Sequence, residues 1–540
     1  MIRGQFTING RTFAVADTKF DELKSNGTFQ TWGTVANDAL PVTMAASPQQ
    51  LLLASAGVAY VFNLITNTLT AIPGATFDGP VSQAAICDDF FIVTIKDSKK
   101  FYVSGVLDAN DWVTNGAAIV SVFPDNIVSM LVFQRQIWFF SDTQSVVYYD
   151  SGNIFPFDVN PNAFIEAGCA AISSPQIFNN SIAWLGQDAR GAGKVWLASG
   201  YTPTRISNHA IEFAIQGYLK TSKISDCVSW TYQDQGHEFY VMQFPSANAT
   251  WCYDANTGMW HERGHFNQAI GKQEAVLYWN HTFNFGKHLV GAMNANKVYE
   301  MHIPILTGTT WTFATDDGDL IVRTRRAAHI SKEQKRLYIN ELQVYVETGL
   351  GPQPPFLGAH NPTFAFLADG TGVVWRVSCD DTGLLIVTAG GGGDPQRLFL
   401  NDASNTTSWE VKVSNIGVLF TIPATFSPAY PKGYELITTP SGMNIWAIKV
   451  NHIGLLQTAF QANFYPSRPP QMDLRVSKDS GHTWNNTATR GCGLSGEYRN
   501  RVRWLRLGQA RDWVFEIQVS DPIGWRVIDG YINPPQPGAN

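Results

Sequence analysis

The most legible pattern is the stretch 227–264, CVSWTYQDQGHEFYVMQFPSANATWCYDANTGMWHERG, where short apolar and aromatic runs alternate with turn residues. The runs at 227–233 and 237–245 are split by Asp234-Gln235-Gly236. Ser246-Ala247-Asn248 and Asn256-Thr257-Gly258 set off two more, at 250–253 and 259–262. Trp, Tyr, Phe and Val suit a pleated, half-buried surface, and Asn, Asp and Gly adopt the conformations of tight hairpins. The pattern predicts a four-stranded antiparallel meander of about 40 residues, the size of one propeller blade. Such a sheet cannot bury its faces alone, so neighbours of similar design are expected.

Comparable strand-turn-strand units start near Gln50, Ala84, Met130, Ile177 and Val276. Their spacing, roughly 30 to 50 residues, is that of blade repeats, and about six blades are expected. No kelch or WD signature recurs, so the repeat is one of pattern and not of residues. After Met301 the texture changes. Strand-like runs at 312–326 and 336–349 flank a charged stretch, AAHISKEQKR, with room for one helical turn. From 360 the pattern loosens, and it tightens again at MDLRVSKDSGHTW. The expected fold is all-β: a propeller over 1–305, then a β-sandwich-like domain formed by 306–359 and 467–540, interrupted by an inserted β-rich domain at 360–466. The runs on either side of the insertion share one alternating character, as if a single hairpin had been interrupted.

Composition narrows the function classes. Aromatics make up 13% and charged residues 15% of 540 residues, a balance suited to turn-rich sheets with large buried interfaces. The formal charge of -6 argues against a protein whose main task is to grip nucleic acid. No export signal is read at the start of the chain, and no apolar run approaches the roughly 20 residues of a membrane helix. Cys87, Cys169, Cys227, Cys252, Cys379 and Cys492 are scattered, and the expectation is buried thiols, although Cys227 and Cys252 fall within one blade.

Several motifs carry possible chemistry. His261-Glu262-Arg263-Gly264-His265 matches the zinc-protease pattern, but that chemistry needs a helix and these residues end a strand, so no metal is expected. Gly390–Gly393 lacks the Lys-Ser/Thr of a phosphate loop and reads as a turn; no cofactor is expected. The segment 477–484, SKDSGHTW, matches the Asp-box of sialidases, a hairpin device that is structural even there. It occurs once and outside the blades. Arg499, Arg501 and Arg503 alternate on one strand face, with Arg506 nearby; they are the candidate contacts to a partner or to a channel. No nucleophile-base pairing stands out.

The order of these segments resembles the packaged-DNA stabilisation proteins (tail hub or nozzle proteins) of short-tailed bacteriophages. The segments that carry the likeness include MIRGQFTINGRTFAVA, DFFIVTIKDSKKFYVSGVLDANDWV, FPDNIVSMLVFQRQIWFFSDTQSVVYYDSGN, WLGQDARGAGKVWLASGYTPTRISNHAIEF and GEYRNRVRWLRLGQARDWVFEIQVSDPI. They cover nearly all of 1–350 and 472–532; the block within 360–466 has no counterpart in that pattern. The resemblance implies a non-enzymatic virion protein of the tail, assembled in the host cytoplasm. It would form a homohexameric ring below the portal-adaptor, meet needle, fibre or spike proteins, and let double-stranded DNA pass transiently. The alternative is a glycan-binding or sialidase-like propeller acting on host surface carbohydrate.

Overall fold

The computed structural model describes residues 1–302 apart from 189, 268, 269 and 271, most of 305–347, nine strands between 365 and 463, and 470–533 apart from 494–499 and 522–525. Gly390–Gly393, the side chain of Cys379 and Arg499 lie outside the described residues. The chain divides into two compact units, Met1–His302 with Ala314–Ile321, and Ile303–Phe313 with Val322–Asn540.

The first unit is the propeller. Among the described residues, seven antiparallel sheets of three to five strands follow one another at 2–34, 43–71, 81–119, 129–165, 168–205, 228–263 and 278–301, with a two-stranded hairpin, His265–Asn267 and Lys272–Glu274, between the last two. Six of them correspond to the expected units, and 2–34 adds a seventh. In the reference blade the strands run Val228–Asp234, His237–Phe244, Ala249–Asp254 and Met259–Arg263, close to the expected runs. Each blade contains a two-residue hairpin in which both residues have positive φ. These are Asn9-Gly10, Ala56-Gly57, Asp88-Asp89, Gln134-Arg135, Asn179-Asn180, Gln235-Gly236 and Phe285-Gly286. Positive φ at both central residues gives the turn twist that matches flanking strands.

Seven seams hold the blades together, because a central strand buried on both faces sends successive side chains to opposite neighbours. Leu51 and Leu53 join Phe13, Phe20 and Phe62 between blades one and two, whereas Leu52 joins Phe91, Val93 and Trp112 between two and three. Phe101 and Phe139 fill the third seam, Phe140 and Trp184 the fourth, and Phe178 with Tyr240 the fifth. The helix His209–Thr221, capped by Asn208, buries Ile211 and Ile215 in that fifth seam. Trp230, Tyr232 and Trp279 fill the sixth. The seventh seam closes the ring with a small cluster, Ile2, Ala14 and Ala16 against Val298. Hydrogen bonds do the rest there: Trp279 Nε1 and Asn280 Nδ2 donate to the Ile2 carbonyl at 2.6 and 2.8 Å, and Asn284 Nδ2 donates to Thr12 Oγ1 at 2.7 Å.

The second unit contains a two-sheet sandwich. One sheet runs Arg323–Arg326, Asp512–Val519, Gln471–Ser477, Ala488–Gly491, with Ile330–Ser331 continuing the first strand along the same partner. The other runs Asn500–Ala510, Leu337–Glu347, Arg526–Ile532. Leu342, Val344, Trp504, Leu474, Trp513 and Phe515 pack between them. The run expected at 312–326 is broken: strands cover Thr310–Thr312 and Arg323–Arg326, and a turn at Asp316–Asp319 belongs to the first unit. The flanks of 360–466 also differ from a single interrupted hairpin. Leu337–Glu347 and Gln471–Ser477 lie in opposite sheets, because both alternate apolar with polar residues and either face of the core accepts that pattern. Between them, the nine described strands form three three-stranded antiparallel meanders.

Candidate functional site: arginines of the sandwich

The arginine strand Asn500–Ala510 pairs with Leu337–Glu347 so that Arg501 faces Tyr345 and Arg503 faces Gln343. Val502 and Trp504 point into the core, as the alternation requires. Arg503 is taken up within the chain: its guanidinium forks onto both oxygens of Glu341, with Nη2 donating to Oε2 at 3.0 Å. Hydrogen bonds and charge from Arg503 hold the Glu341 carboxyl below its ordinary range despite burial. Arg501 lies over the Tyr345 ring at 5.2 Å, and Tyr345 meets Tyr531 edge-on at 5.5 Å. Arg506 sits at a register shift, with φ +60°, and so leaves the alternation of the other two. The structure thus separates the expected row into one paired arginine, one stacked on an aromatic ring and one at a bulge.

The opposite sheet carries an arrangement the sequence does not announce. Glu516, 2% exposed, receives Arg326 Nη2 at 2.7 Å on one oxygen and Arg475 Nε at 2.9 Å on the other. Burial raises the Glu516 carboxyl, and the two arginines outweigh it, so its value falls below the usual range. Both guanidiniums also flank Trp484, at 4.9 and 5.5 Å from its ring centre. Trp484 comes from the Asp-box hairpin, whose Asp479 accepts from Ser477 Oγ at 2.7 Å, Thr483 N at 2.8 Å and Thr483 Oγ1 at 2.5 Å. These bonds, led by the Thr483 hydroxyl, hold the Asp479 carboxyl at about 2. Ser480 and Gly481 turn the chain with φ of +61° and +95°. Asp479 is a turn brace, and its oxygens face its own loop.

The remaining motifs are structural. His261 and His265 lie on two strands, Met259–Arg263 and His265–Asn267, and not on a helix. His261 is exposed and accepts from Arg263 Nε at 3.3 Å, while His265 faces Asp319 at 3.2 Å and Asp316 at 3.9 Å. Cys87, Cys169, Cys227, Cys252 and Cys492 are buried free thiols, and burial raises Cys87 to about 12 and Cys252 to about 11. A shallow cavity of about 330 Å³ beside the helix is lined by Asp188, Lys194, Glu212 and Phe213. Its acids are already engaged: Asp188 by Lys194 at 3.3 Å, Glu212 by Arg205 at 2.5 Å. No helix among the described residues is long and apolar enough to cross a membrane.

Seven antiparallel blades joined by apolar seams define a β-propeller protein, here with a β-sandwich in the second unit. The family model described as Bacteriophage P22 Gp10, beta-propeller, matches residues 2–305, and the chain belongs to that family of packaged-DNA stabilisation proteins. It is therefore a structural component of a bacteriophage particle. No curated protein matches the sequence. Among solved structures, the N-terminal domain of Nup159 is similar at 10% identity over 54% of this chain and 85% of that one, with a TM-score of 0.34. A chain of the Mitotic Checkpoint Complex is similar at 10% identity over 56% and 87%, with a TM-score of 0.38.

Proposed function

We propose that this chain is a subunit of the tail hub, or nozzle, which prolongs the channel below the portal-adaptor, retains packaged DNA and conducts it at ejection. The observation that carries the reading is the stitched inner rim of the propeller. Gln83 of blade three donates to the Ile172 carbonyl at 3.3 Å and to Ser129 Oγ of blade four at 3.3 Å. Ser129 Oγ donates to the same carbonyl at 2.7 Å, and Ile172 leads into blade five's strand Gln176–Phe178. Blades separated by a whole blade touch here, which draws the inner rim tight; we infer that a duplex, whose major groove alone is about 12 Å wide, passes outside the propeller and not along its axis. A protein of this family that acts on packaged DNA must then meet it from outside the propeller, as one copy among several around a shared channel. A homohexamer on the portal-adaptor satisfies that geometry, with needle, fibre or spike proteins as neighbours.

The test is a phage lacking the protein, examined by electron microscopy and DNA quantification. Capsids that fill and then leak their genome are expected, because filling is driven from the portal side and retention depends on a stop below it. Particles that lack the protein yet keep their genome would overturn the hub reading. Imaging of intact tails that showed a number other than six at this position would overturn the stoichiometry. For 360–466 we propose an inserted module on the outside of the hub, where additions are tolerated. Because its flanking strands lie in opposite sheets, a replacing linker must span the roughly 10 Å between sheets. The shortened protein should still fold; insoluble protein only would make the segment part of the core.

A further inference from the structure

Residues 323–336, RTRRAAHISKEQKR, are the basic exception in an acidic chain. The segment holds six Lys and Arg and one Glu, a balance of +5; the remainder, with 38 − 6 basic and 44 − 1 acidic residues, stands at -11. The fold lays this segment along one edge of the five-stranded sheet. Arg323–Arg326 pairs with Asp512–Val519, the Ala327 amide donates to the Phe515 carbonyl at 2.8 Å, and Ile330–Ser331 continues on the same partner. From Arg323 to Ser331 the segment follows its partner Asp512–Val519 over roughly 23–26 Å at about 3.3 Å per step. Thr324 to His329 are all exposed, as are Lys332, Lys335 and Arg336.

Inside this edge some cations are already committed. Arg326 is tied to Glu516, Lys335 to Glu333 at 2.6 Å, and His329 to Asp512 at 3.0 Å. Arg325, Lys332 and Arg336 have no carboxylate partner among the described residues. Trp484, packed against Arg326 and Arg475, lies beside this edge. An exposed sheet edge normally carries lysines to discourage pairing with another strand, which accounts for one or two cations. It does not account for six in fourteen residues on a chain whose other charges are mostly acidic.

The geometry points to this edge as the phosphate-facing surface of the hub, holding duplex DNA through its backbone without reading its sequence. The inference rests on the hub reading above and names the surface involved. Exposed side chains on an extended edge of this length can follow a run of phosphates, one of which recurs on each strand about every 3.4 Å of helix axis. Contacts of this kind are weak individually, depend steeply on salt and allow sliding, which suits a stop that must later let the genome go.

The experiment uses the purified full chain and a fluorescent 20-base-pair duplex of mixed sequence, titrated across salt concentrations. The variant Arg325→Gln, Lys332→Gln, Arg336→Gln is compared with a charge-matched control, Lys19→Gln, Lys96→Gln, Lys220→Gln, whose sites are exposed on the propeller. Thermal unfolding verifies that both fold as the parent does. The parent should bind, with log affinity falling linearly in log salt. The edge variant should bind at least about tenfold more weakly at low salt, its slope smaller by up to about 2.7, which is 0.9 for each phosphate no longer neutralised. The control should match the parent within about twofold. Absence of binding by the parent at low salt, or an equal weakening in both variants, would overturn the inference. So would edge-dependent capture of a polyglutamate peptide without capture of the duplex, which would assign the surface to an acidic protein. Particles carrying the edge variant that retain DNA like the parent would sink this surface alone. Only retention by particles lacking the whole protein sinks the hub reading.

Discussion

At the scale of single residues, the fold depends on charges held in place by several partners at once. Arg3 has a fully buried side chain, and donates to the Leu40 and Ala36 carbonyls, both at 2.8 Å, to Ser55 Oγ at 2.9 Å and to Asp38 at 2.6 Å. Glu22 receives Arg11 at 2.8 Å, Lys24 at 2.9 Å and Trp32 Nε1 at 2.9 Å. Burial pushes the Glu22 carboxyl up, and those hydrogen bonds outweigh it and hold it at about 2. A carboxyl lowered in this way stabilises the fold above its unfolded value and stops doing so as pH falls through the folded one. We therefore expect Glu22→Gln to melt several degrees below the parent at pH 7, with the gap closing between about pH 4.5 and about pH 2. Melts that stay equally far apart at pH 2 would remove Glu22 from the acid response. The arginine row gives a second test. Arg503→Ala strands the buried Glu341 and should lower the melting temperature clearly, whereas Arg501→Ala, which only leaves a tyrosine ring, should leave it nearly unchanged. The alternation of Arg499, Arg501 and Arg503 is legible in the sequence. The engagement of Arg503 is not, since Glu341 is 162 residues away along the chain.

At the scale of elements, the hairpins explain both what is readable and what is hidden. The reference blade shows itself because Gln235-Gly236 closes its first hairpin between two aromatic strands. The blade at 2–34 escapes the sequence pattern although Asn9-Gly10 marks its first hairpin, because its strands IRGQFTI and RTFAVA alternate weakly. Gln134-Arg135 and Phe285-Gly286 make the same turn with residues that do not advertise it. The repeat is thus one of backbone conformation while the residues differ from blade to blade, which is why no signature recurs. This makes the turns improvable. A non-glycine residue in the left-handed region costs about 1–2 kcal/mol, and Asn tolerates it better. Gln134→Asn and Phe285→Asn should each stabilise by roughly 0.5–1 kcal/mol, raising the melting temperature by a few degrees. A drop with Gln134→Asn would mean that its exposed side chain matters more than its backbone. The charged stretch before Leu337 departs from expectation for a related reason. AAHISKEQKR has the composition of a helical turn, and pairing with Asp512–Val519 draws its first part out as an edge strand.

At the scale of the whole molecule, the propeller's seams are unequal. Six are filled by large aromatic and aliphatic side chains, whereas the closing one relies on Ile2, two alanines and a set of hydrogen bonds. Hydrogen exchange in the native protein should therefore open first in Ile2–Ile8 and Tyr278–Asn284, ahead of the inner strands of blades three and four. Uniform protection around the ring would contradict that order. No local pattern reveals the seam, because its partners sit at opposite ends of the propeller sequence. The same separation has a consequence during protein synthesis. Strands Ile2–Ile8 and Tyr278–Asn284 are made about 270 residues apart, a delay of roughly 15 to 50 s at ordinary rates of translation. Through that interval the growing chain is an open arc with a bare first blade, whose Ile2 and Asn284-binding Thr12 have nothing to pair with. Ribosome-bound intermediates of this protein are thus exposed to mispairing between neighbouring nascent chains on one polysome, and their yield should respond to chaperone supply more than that of the finished ring.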